Sequence, residues 1–260
     1  MPGDALNRPP PRNPIVMIPA RLAATRLPGK PLAEIGGTPM IVHVWRRAVA
    51  AAVGPVVVAC SDRVIADAIE AAGGRAVLTD PALPTGSDRI HAALTALDPG
   101  RAHDAVINVQ GDMPLLEPAA IRFAFDVLAD PETDIATLAA VIDDPAALAR
   151  DHVNKVAAGF ADPARPARAL YFSKLPVPWG EGPHYEHVGL YVYRRDALER
   201  FVALPPGVLE RRERLEQLRA LEAGMRISVR LIGADQHGGQ VDTAADLERV
   251  RELYRDRKLR

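Results

Sequence analysis

A chain of 260 residues lies near the upper limit for one hydrophobic core, so one domain with an inserted lobe and two small domains both fit. Charged residues make up 25% and nearly cancel to a formal net charge of -1, which excludes a global field holding the protein on nucleic acid or an anionic membrane. The longest apolar runs, such as "VGPVVVAC", fall far short of the roughly 20 residues of a spanning helix, and the single cysteine, Cys60, cannot form an internal disulfide. A cytoplasmic protein without membrane or nucleic-acid partners is therefore expected, and any anion site has to be local.

In chain order, "MPGDALNRPPPRNP" has neither an apolar core nor a cleavage pattern, so residues 1–13 are expected to form a disordered Pro-rich extension. Ile15 to Ile18, Val56 to Cys60, Ala76 to Leu78 and Ala105 to Val109 read as short buried strands. Met40 to Ala52, Asp62 to Ala72, Asp88 to Leu97 and Pro118 to Leu128 alternate with them as amphipathic helices. That βα rhythm predicts an α/β fold with a mostly parallel central sheet flanked by helices.

From about Asp134 the rhythm changes. "DIATLAAVI", "NKVAAGF", "ARALYFS" and "EHVGLYVYRR" are strand-like pieces between Pro- and Gly-rich turns, so a mixed or antiparallel lobe is expected at about 134–201, inserted in a domain of residues 14–260. "LERRERLEQLRALEAG" then reads as one helix with Leu215 and Leu218 on its buried side and Gly224 as its stop. A strand, "RISVRLI", and a last helix, Ala244 to Tyr254, complete the order.

Two places carry chemistry. "IVMIPARLAATRLPGKPL" sets a strand end against Arg21, Arg26 and Lys30, with Gly29 allowing close backbone approach, at the carboxyl edge where open α/β sheets collect ligands. Three solvated surface cations are the equal alternative. Neither GxxxxGK[ST] nor GxGxxG is present, so both of those nucleotide classes recede. In "VINVQGDMP", Asp112 follows a buried strand and a glycine; a metal ligand and a turn or capping residue fit it equally.

These stretches, with "GGTPMIVHVWRRA", "GSDRI", "LYFSKLPVPW", "HVGLYVYRRDAL", "LEQLRALEAG" and "VDTAADLERVR" in the same order, resemble the 3-deoxy-manno-octulosonate cytidylyltransferases (CMP-Kdo synthetases) over nearly everything after residue 13. The resemblance implies a Rossmann-like nucleotidyltransferase fold with a dimerisation lobe, hence a homodimer. It also implies transfer of CMP from CTP to the anomeric hydroxyl of the eight-carbon acidic sugar Kdo, with Mg²⁺ as cofactor. Such transfers ask a protein mainly for alignment and charge neutralisation.

Residue by residue, the resemblance assigns Arg21 and Lys30 to the triphosphate, Lys30 foremost, with Arg26, Arg89 and Gln110 also toward the nucleotide. Asp112 and the aspartate of "VDT", Asp242, become the metal ligands. Lys174, His187, Tyr191, Glu216 and Gln217 match positions around the sugar. Period-two alternation puts His187, Gly189, Tyr191 and Tyr193 on one strand face, where Tyr193 equally fits ordinary packing.

The chain departs from the family pattern at "LPTGSDR", which lacks a His and a Gln, at Ala24 in place of Ser, at Met113 in place of Glu, and at Lys174 in place of Arg. The last change turns a bidentate clamp into a point charge. Two other readings stay beside the first: a cytidylyltransferase for an amino-substituted octulosonate or a nonulosonic acid, and a non-catalytic nucleotide-binding dimer.

Overall fold

The structure, a computed structural model, describes residues 8–23 and 27–258. In chain order these form β1 (Pro14–Ala20), a 3-10 turn (Lys30–Leu32), β2 (Glu34–Ile35), β3 (Thr38–Pro39), α1 (Met40–Ala50), β4 (Val56–Cys60), α2 (Arg63–Ala71), β5 (Arg75–Leu78), α3 (Gly86–Leu97), β6 (Ala105–Asn108) and α4 (Pro118–Asp126). There follow β7 (Ile135–Val141), α5 (Pro145–Leu148), β8 (Lys155–Ala158), β9 (Ala167–Ser173), β10 (Tyr185–Arg194), α6 (Arg195–Ala203), α7 (Val208–Glu213), α8 (Leu218–Glu222), β11 (Ile227–Leu231), α9 (Ala234–His237) and α10 (Ala244–Lys258).

Two compact units emerge: residues 13–121 with 236–258, and residues 8–12 with 122–235. In the first, β1 lies between β4 and β6 and β5 flanks β4, every pair parallel. All seven residues of β1 are buried, as expected for a strand covered on both faces. This is the predicted βα series. The C-terminal segment returns to this unit: Ile35, Met40, Leu115, Val241, Leu247 and Val250 make one buried cluster with Leu27 and Tyr254 against it. That cluster fastens α10 to the loop after β1 and so places Asp242 beside Lys30. Gly238, at φ 65, is required here, because a β-carbon would come within 2.3 Å of the Leu115 carbonyl oxygen.

In the second unit the strand order is β10-β7-β11-β9-β8, and a further pairing of β8 with β10 (Glu186 opposite Lys155) closes the five strands on themselves. β11 runs parallel to β7 while the β10–β7, β9–β11 and β8–β9 pairs are antiparallel. The expected mixed lobe is present, but it takes in residues well beyond 201, since β11 and the two short helices before it belong to the same unit.

Three expectations change. "LERRERLEQLRALEAG" is two helices, not one, because Arg214 adopts a left-handed conformation (φ 57) that ends α7. The pieces are tied by Arg219, which reaches Glu210 through Nε (2.8 Å) and Nη2 (2.6 Å), and by Glu222, which accepts from the backbone N–H groups of Val208 and Leu209 at the start of α7. Gly189 leaves the shared face of β10, because the pairing with β7 slips between Val188 and Tyr191. The expected extension is held from Arg8 onward, its guanidinium on Asp134 and Asp196 and the Pro9 carbonyl accepting from Arg194; its residues 1–7 lie outside the described residues.

Candidate active site

In the first unit, a cleft of about 290 Å³ opens at the carboxyl end of β1 and is lined by Arg21, Lys30, Thr85, Gly86, Arg89, Gln110, Gly111, Asp112 and Asp242. Local sequence explains each approach. Gly29, left-handed at φ 68, starts the turn that aims Lys30 inward. Gly111 lets the chain pass the Pro19 carbonyl, which a β-carbon would meet at 2.8 Å. Thr85 caps α3, accepting from the Asp88 N–H and donating to its carboxylate, so the "LPTGSDR" loop presents a helix N-terminus to the cleft.

The centre of the cleft is ionic. Lys30 Nζ donates to Asp112 Oδ2 at 2.7 Å, to Asp242 Oδ1 at 3.3 Å and to the Val241 carbonyl at 2.9 Å. Gln240, which sequence reasoning passed over, donates to the same Asp112 oxygen at 3.1 Å. Asp112 Oδ1 is buried and has no hydrogen-bond partner among the described residues. An ammonium thus sits between two carboxylates from loops far apart in sequence, and one buried carboxylate oxygen retains unused acceptor capacity.

Arg21 is exposed. Arg89 is only 2% exposed; its Nη1 donates to Thr79 Oγ1 at 2.5 Å and to the Asp80 carbonyl at 3.2 Å, while its Nη2 is buried without a partner among the described residues. Burial, then the charge of Arg21, pushes the Arg89 guanidinium below its ordinary value. Arg21 and Arg89 bring two cations to one cleft, a setting that attracts anions. Gln110 donates to Asn108 at 3.2 Å and lines the same cleft. The expected nucleotide residues therefore converge, except Arg26, which with Ala24 lies outside the described residues.

The expected sugar residues lie in the second unit. His187, Tyr191 and Tyr193 pair across β10 and β7 with Ala139, Thr137 and Ile135, alternate residues of β7, so they share a face. Their rings form a row: Phe172 to His187 at 4.9 Å, His187 to Tyr191 at 5.3 Å, Tyr191 to Tyr193 at 6.0 Å and Tyr193 to Phe201 at 5.9 Å. Tyr193 is buried against Phe201, in keeping with the packing alternative. Burial pushes the His187 imidazole down to about 3 and, with Tyr193 and Glu216 adding to it, pushes the Tyr191 phenol well up, so both are neutral near pH 7.

Glu216 and Gln217 occupy the break between α7 and α8, with Gln217 buried at the start of α8. Lys174 is half-buried, and its backbone is gripped from two sides. Glu213 accepts its N–H at 3.1 Å while also accepting from Ser173 and Tyr171, and the fully buried Lys155 donates to its carbonyl at 2.8 Å. Neither Glu213 nor Lys155 stood out in the sequence, where each reads as one charge among many.

Known proteins are similar to this chain over most of its length. Residues 15–227 match the Cytidylyltransferase family. The 3-deoxy-manno-octulosonate cytidylyltransferase of Rhodospirillum centenum is 61% identical over 94% of this chain and 94% of its own, and that of Paramagnetospirillum magneticum 57% identical over 93% and 98%. Among solved structures, a CMP:2-keto-3-deoxy-manno-octonic acid synthetase complexed with CTP aligns with a TM-score of 0.86 and 36% identity over 94% of this chain and 99% of that one. A nucleotidyl transferase from Methanothermobacter thermautotroptrophicus, 14% identical with a TM-score of 0.60 over 93% of this chain and 97% of its own, shares the fold. By the family match and by identity of this extent over nearly the whole chain, the chain belongs to the cytidylyltransferase family.

Proposed function

We propose that this chain is a 3-deoxy-manno-octulosonate cytidylyltransferase, transferring CMP from CTP to the anomeric hydroxyl of that acidic sugar and so activating it for lipopolysaccharide assembly. The observation that carries the chemistry is the Lys30 ammonium held between Asp112 and Asp242 in a cleft that also presents Arg21 and Arg89. The relatives' names supply the sugar. In the reaction the anomeric oxygen bonds to the α-phosphorus, the bridging P–O bond to the β-phosphate breaks, pyrophosphate leaves with the electron pair, and the hydroxyl proton passes to solvent.

Arg21 and Arg89 draw the polyanion into the cleft, and Lys30 stabilises charge as it develops at the transferring phosphate. Asp112 and Asp242 fit a Mg²⁺ ion: they are hard oxygen donors, and Asp112 Oδ1 is buried with its acceptor capacity unused. No group of three or more His, Cys, Asp or Glu suited to a metal occurs among the described residues, so water and phosphate oxygens would complete the octahedron. When bound, the ion supplies Lewis-acid neutralisation of phosphate charge. In the second unit, Lys174, His187, Tyr191, Glu216 and Gln217 are assigned to the sugar.

A homodimer and a cytoplasmic setting belong to the same proposal. Leu170 (66% exposed), Leu175 (71%) and Trp179 (100%) are exposed large apolar side chains of the second unit, of the kind a second copy would cover. No helix among the described residues is long and apolar enough to cross a membrane. Pyrophosphate release, measured with CTP, Mg²⁺ and a panel of acidic sugars, tests the function. Turnover with 3-deoxy-manno-octulosonate above an 8-amino analogue and nonulosonic acids supports it, and preference for another sugar or no turnover refutes it. Sedimentation as a 28 kDa monomer at micromolar concentration would reject the dimer.

A further inference from the structure

Thr137, fully buried in β7, makes three contacts through one hydroxyl: Oγ1 lies 2.7 Å from the Leu190 carbonyl oxygen, 3.3 Å from that of Val188 and 2.9 Å from His187 Nε2. Both carbonyls belong to the irregular turn of β10 where Gly189 and Leu190 have no partner on β7. A carbonyl only accepts, and a 2.7 Å approach of two oxygens without an intervening proton is repulsive, so the single hydroxyl proton goes to the Leu190 carbonyl. Thr137 must then accept from His187, whose Nε2 carries a hydrogen. The imidazole is 7% exposed and burial keeps it neutral, so Nδ1 holds a lone pair. No partner occupies Nδ1 among the described residues.

We propose that Thr137 is a positioning residue that locks His187 in the Nε2–H tautomer, leaving Nδ1 as an obligate acceptor for a hydroxyl of the acidic sugar and barring it from the sugar's carboxylate. This rests on the reading of the second unit as the sugar site. An acceptor of this kind discriminates against an analogue lacking the matching hydroxyl, because binding it would leave Nδ1 buried and unpaired. It also removes His187 from proton transfer near neutral pH, so the ring recognises and does not catalyse.

Nitrogen-15 spectra of the full-length protein labelled in histidine, with His187→Gln to assign the signal, read the tautomer directly. At pH 7.5 His187 should show a pyrrole-type Nε2 and a pyridine-type Nδ1. Thr137→Val should lose that fixed pattern and raise the sugar KM about tenfold, one hydrogen bond's worth, with kcat and the CTP KM nearly unchanged. Thr137→Ser should restore both. An Nδ1–H tautomer or an imidazolium in the wild type overturns the proposal, as does Thr137→Val with unaltered tautomer and sugar KM. If Thr137→Val does not fold, the wild-type spectrum and the Thr137→Ser kinetics still decide. The predicted tautomer in a protein that does not turn over 3-deoxy-manno-octulosonate would uphold the lock and overturn the choice of sugar.

Discussion

Replacing Lys30 by methionine keeps the length of the side chain and removes the charge between Asp112 and Asp242. The three side chains are 16%, 15% and 25% exposed, so the carboxylates would face each other with little screening by water. Removing one partner of a fully buried pair costs about 3–5 kcal/mol, and partial exposure brings the expected loss here to about 2–3 kcal/mol. In a chain of this size that corresponds to a fall of roughly 5–10 °C in Tm, measured in chelator by calorimetry. The same change should raise the affinity for Mn²⁺ or Mg²⁺ without nucleotide about tenfold or more, since a divalent ion no longer competes with a built-in ammonium, and saturating metal should recover most of the lost stability. Turnover should nevertheless fall by about two to three orders of magnitude, the cost of losing one preorganised charge at the phosphate. An unchanged Tm in chelator together with equal metal affinity in wild type and variant would refute the reasoning.

Asp112→Asn and Asp242→Asn should each lower turnover by about a hundredfold or more with the fold retained, checked by pyrophosphate release and circular dichroism; full activity of both variants, or of wild type in excess chelator, would exclude them as metal ligands. Arg89→Ala should raise the CTP KM by about tenfold and loosen discrimination against UTP in a competition assay, because Arg89 lines the nucleotide cleft and one of its guanidinium nitrogens has no hydrogen-bond partner among the described residues. His187 makes stability depend on pH with a definite sign. Its folded value of about 3 lies below the ordinary 6.5, so the unfolded chain binds the extra proton and stability falls as pH drops through that window. Between pH 7.5 and pH 5 the wild type should lose about 2 kcal/mol more than His187→Gln in urea titrations, and equal losses would show that the ring titrates normally.

The parallel half of the fold was legible because strands buried on both faces write themselves as unbroken Val and Ile runs, and β1, β4 and β6 do so. Arg21 and Asp112 follow such runs closely and so fall at the carboxyl edge of the sheet, while Lys30 lies further along the loop after β1; on the residues alone a ligand site and a solvated loop or turn fitted equally. Asp242 needed the resemblance, since nothing local distinguishes it from a helix-starting aspartate. The break at Arg214 was hidden because a left-handed arginine carries no compositional mark, and the slip in β10 because alternation resumes in phase after two extra residues. Thr137, Lys155 and Glu213 act through partners distant in sequence, so their roles exist only in the folded chain.

The grip on Lys174 has a consequence for how this position can vary. Glu213 and Lys155 hold its main-chain N–H and carbonyl and leave its side chain untouched, so the placement of the residue does not depend on what projects from it. A lysine and an arginine at 174 would start from the same point in space, and exchanging one for the other would alter only reach and donor geometry at the far end. On the proposed assignment of Lys174 to the sugar, the position would act as a socket for interchangeable cationic heads, and one substitution there would retune preference among acidic sugars without rebuilding the strands that support it.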